Sequence, residues 1–171
     1  MYLKNERQKF KFRFQGRVDK LGDINIIKNL KRVGCFDICY GIESGSQEII
    51  DYMGKNININ NAKENINKVL ASDINVHASF IIGMPIESSE SIDKTIQFIK
   101  ETEIKNVNAG ILTLFPGSDL YNYAIERKYI KDEDEYCEKL GEVYEQVHVN
   151  LTDYDDEQLI QWKNDVKNSC N

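Results

Sequence analysis

The chain has 171 residues, of which 41% are hydrophobic and 29% charged. That suffices for one domain with a real core, but not for a complete eight-unit α/β barrel of roughly 250 residues. With 28 acidic and 22 basic residues the formal charge is −6, which argues against nucleic acid or an anionic membrane as partner, since both call for surplus Lys and Arg. No stretch approaches the roughly 20 apolar residues of a membrane span. The segment Met1–Arg7 turns charged too early for a signal peptide. Cys35, Cys39, Cys137 and Cys170 are scattered, and without an export signal they are expected to be reduced thiols in a cytoplasmic protein.

Along the chain, Phe10, Phe12 and Phe14 alternate with Lys9, Lys11 and Arg13, which predicts a strand over 10–18 with one wet face. Asp23 is placed to cap a helix carrying Ile24, Ile27 and Leu30, stopped by Gly34. A second strand is predicted over Phe36–Ile42, leading into Gly41-Ile42-Glu43-Ser44-Gly45-Ser46. Two helices follow, one from Ser46 to Gly54 and one over about 60–71. The unit then repeats. Val76–Ile82 is an apolar run of strand length followed by Gly83-Met84-Pro85, then a helix over 88–101 and a strand over 107–114. Phe115-Pro116-Gly117 breaks that strand, and Ser118 is placed to cap the next helix. Four alternations of strand and helix imply an α/β fold with a parallel sheet and right-handed crossovers. Residues 132–146 and 155–168 read as acidic amphipathic helices. The expected division is a partial barrel over 1–131 and a C-terminal helical extension over 132–171.

Cys35-x-x-x-Cys39 resembles half of a metal site, but on a strand the two α-carbons lie roughly 13 Å apart. Zinc ligands must converge to about 2.3 Å of the ion. His77 and His148 are both distant in the sequence, so no metal ligand is expected. The Gly41–Ser46 segment is more informative, because ligands bind parallel α/β folds at the C-terminal ends of the strands. Cys39, Gly41 and Glu43 share one strand face, while Ile38, Tyr40 and Ile42 share the other. The bulky apolar face suits a helix layer, which leaves Glu43 toward the barrel interior. A carboxylate there needs a partner, and a ligand hydroxyl is the preferred one. The strand ends at Ser79–Pro85 and Thr113–Ser118 share this geometry. Their apolar residues can flank a flat ring, with backbone amides near Gly83 and Gly117 bonding its edge. There is no Gly-x-x-x-x-Gly-Lys loop and no strand-linked Gly-x-Gly-x-x-Gly in the sequence.

From Gly41-Ile42-Glu43-Ser44-Gly45-Ser46-Gln47-Glu48 onward the chain resembles the radical SAM superfamily, in particular the branch often fused to a cobalamin-binding domain. The resemblance continues through Asp51-Tyr52-Met53-Gly54-Lys55, Val76–Pro85 and Thr113–Tyr121, and Gln15-Gly16-Arg17-Val18-Asp19 is similar to the third core strand of those proteins. The family folds as a partial (β/α)6 barrel. It binds a [4Fe–4S] cluster through a Cys-x3-Cys-x2-Cys loop after the first strand, and the cluster cleaves S-adenosylmethionine (SAM) to a 5′-deoxyadenosyl radical. The resemblance implies that this chain supplies strands three to six. Glu43 and Ser44 then match the segment that contacts the SAM ribose and amino-acid portion. Ile81 and Gly83, with Ser79 on the same strand, match the fifth-strand motif near adenine, and Leu114, Phe115 and Pro116 match the sixth-strand backbone. Arg17 is expected near the SAM carboxylate.

This chain holds no Cys-x3-Cys-x2-Cys motif, and Tyr40-Gly41-Ile42 stands where a third cysteine would follow Cys39. The second-strand Gly-Gly-Glu segment that holds the SAM amino group is absent too. The resemblance therefore implies the SAM-binding, substrate-facing half of a radical SAM enzyme, inactive alone. It implies an N-terminal half as partner, a small-molecule substrate, and a [4Fe–4S] cluster and cobalamin in the parent enzyme. The alternative is a non-catalytic binding or assembly module on the same half-barrel.

Overall fold

The computed structural model describes residues 10–140 and 144–170. Four parallel strands form one sheet in chain order, β1 (Phe12–Gly16), β2 (Cys35–Glu43), β3 (Asn75–Ile82) and β4 (Asn106–Ile111). Between and after them come α1 (Ile24–Val33), α2 (Gln47–Tyr52), α3 (Ile59–Leu70), α4 (Ser89–Thr102), α5 (Asp119–Glu126), α6 (Glu133–Glu138) and α7 (Asp156–Asn168). Sequential strands that are also spatial neighbours are what repeated right-handed βα units produce. This is an arc of a barrel wall.

Each crossover starts and stops where the side chains dictate. Asp23 accepts the Asn25 N–H at the start of α1, and Gly34 ends it with φ 107°, a left-handed turn open to glycine at no steric cost. Ser88 and Ser91 form a reciprocal capping box on α4. Asp155 accepts the Gln158 N–H at the start of α7. One sheet face is covered most completely on the two central strands: Ile38, Tyr40, Ile42, Val76, Ala78, Phe80 and Ile82 are buried, together with Ile27, Ile66, Val69 and Phe98 from the helices. α7 joins the same core through Leu159, Trp162 and Val166. The alternate residues His77, Ser79 and Ile81 remain half-buried, so the expected division of strand faces holds.

Three expectations need correction. The first strand runs only from Phe12 to Gly16, because Arg17 leads directly into a 3-10 turn at Val18–Lys20. The last strand stops at Ile111 rather than Leu114. The helix expected over 132–146 is limited to Glu133–Glu138 among the described residues, residues 141–143 lying outside them. The cause is visible at Tyr144. Its carbonyl accepts the Ile111 N–H at 2.7 Å and its N–H donates to Thr113 Oγ1 at 3.2 Å. The chain returns to the edge of β4 and satisfies backbone groups that would otherwise be exposed.

Candidate functional site

The C-terminal ends of β2, β3 and β4 form one rim. At the end of β2 the register with β3 shifts between Gly41 and Glu43, a bulge that re-aims the last residue. Glu43 itself has φ 72°, a left-handed backbone that is uncommon for a residue with a Cβ and tends to mark functional sites. Its carboxylate folds back over Gly41, where a Cβ would stand 2.5 Å from Glu43 Oε1. Lys55 Nζ bridges the pair, 2.7 Å from Glu43 Oε1 and 2.9 Å from the Gly41 carbonyl. The inward carboxylate is therefore paired within the chain, and both partners keep part of their surface open to a ligand, Lys55 30% and Glu43 16%.

The next residues are structural. Ser44 is buried, its hydroxyl 3.2 Å from Thr95 Oγ1 of α4 and accepting the Ser46 N–H. Gly45 donates to Thr95 Oγ1 at 2.9 Å and packs so closely on α4 that a Cβ would sit 2.6 Å from Thr95 Cα. Ser44 thus faces α4 and fastens the loop that presents Glu43.

At the C-terminal ends of β3 and β4 lies a cleft of about 450 Å³ lined by Tyr52, Met53, Ile81, Met84, Leu112, Leu114, Phe115 and Leu120, with Thr113, Ser118 and Asp119 as its polar groups. The volume and the apolar walls suit a small ligand with a flat ring. Ile81, Leu114 and Phe115 are brought together as the strand ends suggested. Phe115 is 46% exposed and packs edge-on against Tyr144, ring centres 6.3 Å apart. Pro116 is exposed in the turn beyond the cleft wall. Ser79 lies deeper on the inner face, between Gly41 and Asn108. Arg17 follows β1 and is held by Asp19 at 2.9 and 3.2 Å, a pairing that lowers the Asp19 carboxyl below its usual range.

Two backbone groups on the rim are already in use. The Gly83 N–H donates to Glu87 Oε2 at 3.3 Å, and the Leu114 carbonyl accepts from Tyr136 Oη at 2.8 Å. Sequence reasoning missed Glu87. It is buried, accepts from the Ser91 hydroxyl, and ties the β3 turn to the start of α4. Burial pushes its carboxyl above the usual range, while the Ser91, Gly83 and Met84 bonds pull it down. A Glu just ahead of a serine-capped helix was the available signal. Lys55 was likewise legible only as part of a motif.

The distance argument against a metal also needs correction. Cys35 is buried in the core and is not part of the cluster that Cys39 joins. His77, however, is remote in the sequence only: it pairs directly with Cys39 across the sheet, and Asp37, Cys39 and His77 bring their ligand atoms within 4.8 Å of one another. No three cysteines converge among the described residues, so the residues present do not fit a three-cysteine iron–sulfur cluster. The cleft residues, in contrast, fit an adenine-sized group.

A parallel sheet of βα units with a cleft at the C-terminal strand ends is the arrangement found in α/β barrel proteins. The family model of the Radical SAM superfamily matches residues 3–99, more than half of the chain. The chain belongs to that superfamily. It is similar to an uncharacterized methyltransferase of Pyrococcus horikoshii, 31% identical over 123 residues, covering 72% of this chain and 27% of that protein. It is also similar to the bacteriochlorophyllide d C-8(2)-methyltransferase of Chlorobaculum tepidum, 28% identical over 121 residues, covering 68% of this chain and 26% of that protein. The fold matches the radical S-adenosylmethionine methyltransferase TsrM from Kitasatospora setae, whose structure holds cobalamin and a [4Fe-4S] cluster (TM-score 0.59, 15% identity, 68% of this chain, 22% of that one). It also matches the cobalamin-dependent S-adenosylmethionine radical enzyme OxsB (TM-score 0.53, 18% identity, 88% of this chain, 21% of that one). The chain thus spans about a quarter of the length of the curated relatives. Among the described residues, no helix is long and apolar enough to cross a membrane.

Proposed function

We infer that this chain is the SAM-binding, substrate-facing half of a radical SAM core, built from strands three to six, with a cluster-bearing N-terminal half completing the barrel. The observation that carries this reading is the cleft of about 450 Å³ at the strand ends. Ile81, Met84, Leu112, Leu114 and Phe115 offer apolar surface to an adenine ring. Met53 leads from the cleft to Lys55, whose contact with Glu43 holds a carboxylate ready to accept ribose hydroxyls. Bound SAM supplies the reductive carbon–sulfur cleavage that the superfamily uses. The residues of this chain bind it and orient its ribose.

The cluster is assigned to the missing half, because no Cys-x3-Cys-x2-Cys occurs here. Inactivity of the chain alone follows from that assignment. Methyl transfer, with cobalamin in the parent enzyme, is the reaction class favoured by the relatives' names and by the cobalamin-bound structural neighbours. The test combines this chain with a cluster-bearing half under anaerobic conditions and measures SAM binding by equilibrium dialysis. Glu43→Ala is expected to weaken SAM at least about 10-fold, the scale of one charge-assisted hydrogen bond. Unchanged SAM affinity in a folded Glu43→Ala protein would mean that the rim serves another ligand.

A further inference from the structure

The inner sheet face carries a second cluster, below the rim. Asp37 and Cys39 are two residues apart on β2 and therefore point to the same side. His77 on β3 stands directly beside Cys39. His77 Nδ1 lies 2.8 Å from Asp37 Oδ2 and 3.0 Å from Asp37 Oδ1, and Cys39 Sγ lies 3.7 Å from Asp37 Oδ1. Along β2 the cluster sits roughly 13 Å from Glu43 at the strand end. None of its members takes part in the proposed SAM contacts.

We propose that Asp37, Cys39 and His77 form a binding site for a divalent transition metal of the zinc class. The donor set argues for this first. A carboxylate, a thiolate and an imidazole are the three side chains that zinc takes most readily, and together they select borderline cations over calcium or magnesium. Geometry argues for it second. With bonds of about 2.0 Å to oxygen and nitrogen and 2.3 Å to sulfur, tetrahedral ligand atoms are separated by roughly 3.3–3.6 Å. The Cys39–Asp37 separation of 3.7 Å is already close to that, and all three ligand atoms lie within 4.8 Å of one another, so the remaining adjustment falls to the His77 ring, which must shift to open its 2.8 Å approach to Asp37. The ring is free to do so, being 41% exposed.

Burial supplies the third argument. The Asp37 side chain is only 5% exposed, and a buried carboxylate is costly unless paired, hydrogen-bonded or metal-bound. Its contacts here are an imidazole and a thiol. Arg13 reaches the Cys39 sulfur at 3.6 Å from the edge strand. Its side chain is exposed and can swing out when an ion enters. A divalent cation neutralises the carboxylate and thiolate together, releasing the thiol proton to solvent. Three protein ligands leave a fourth position for water, the arrangement of open zinc sites.

The test titrates the purified chain, stripped with chelator, with Co(II) and then displaces the cobalt with Zn(II). One equivalent of Co(II) is expected to bind, with a thiolate-to-cobalt charge-transfer band in the near ultraviolet and the intense visible bands of a four-coordinate ion. Cys39→Ser is expected to abolish the charge-transfer band. His77→Gln is expected to weaken binding by more than about 10-fold, since even the partners of metal ligands cost 10–100-fold when lost. Cys137→Ser and Cys170→Ser should bind as the parent does. Circular dichroism on each variant separates ligand loss from unfolding, and His77 and Cys39 are chosen because neither is fully buried. Absence of stoichiometric cobalt binding, or a charge-transfer band that survives Cys39→Ser, would show that the cluster is only an Asp–His pair beside a thiol.

Discussion

The loop that presents Glu43 is predicted to depend on the absence of a side chain at position 45. A Cβ there would stand 2.6 Å from Thr95 Cα, 2.7 Å from the Lys94 carbonyl oxygen and 2.8 Å from Phe98 Cβ. Two of those three atoms are backbone, so α4 or the loop must move as a unit. Overpacking of this kind costs about 1–3 kcal/mol. A shift that breaks the Gly45 N–H to Thr95 Oγ1 bond adds about 1 kcal/mol. Gly45→Ala is therefore expected to lose about 2–4 kcal/mol, which for a chain of this size is a fall in Tm of roughly 4–16 °C. Urea unfolding followed by circular dichroism measures it. Gly54→Asn is the control: its φ is 66° and a Cβ there meets nothing within 4 Å, and Asn tolerates that backbone region. A Gly45→Ala loss below about 0.5 kcal/mol, or one matched by Gly54→Asn, would refute the argument that close packing on α4 positions the rim.

Other outcomes follow from the same contacts. Gly41→Ala should scarcely change stability, because the group in its way is the flexible end of Glu43, yet it should weaken SAM by displacing that carboxylate. Dialysis against labelled SAM beside a urea curve checks both halves. Tyr136→Phe leaves the buried Leu114 carbonyl without its donor and should cost about 1–3 kcal/mol, read as a drop in urea midpoint. Glu87 has a folded pKa raised above its ordinary 4.5 by burial. The folded state thus holds this proton more tightly, so the contribution to stability is full below 4.5 and is lost as pH rises through the folded value. Relative to Glu87→Gln, the parent should lose stability as pH increases over that window. Parallel pH curves for the two proteins would contradict it.

Much of the architecture is legible in the sequence because the burial pattern is. Ile38, Tyr40 and Ile42 alternate with smaller or polar residues, and the structure buries those three against the helices. The helix starts at Asp23, Ser88, Ser118 and Asp155 were readable from side chains that cap in a known way. What escaped depends on contacts across the fold. Nothing local says that Ser44 turns into α4 toward Thr95, 51 residues away in the chain, although its neighbour Glu43 stays on the rim. Nor does local pattern reveal that residue 144 returns to the edge of β4 and cuts short both a strand and a helix. The Asp37–Cys39–His77 cluster hid for the same reason: sequence spacing measures separation along one strand, whereas parallel register brings β2 and β3 side by side. Asp37 and Cys39 on one strand face were the part that alternation alone could have shown.

The most direct test of the central claim is 5′-deoxyadenosine formation. This chain and a cluster-bearing radical SAM half are reconstituted together with iron and sulfide under anaerobic conditions, reduced, and supplied with SAM. The account predicts product from the combined halves, none from either half alone, and a loss of at least about 10-fold when this chain carries Glu43→Ala. Product that forms without this chain, or that is indifferent to Glu43→Ala, would contradict it.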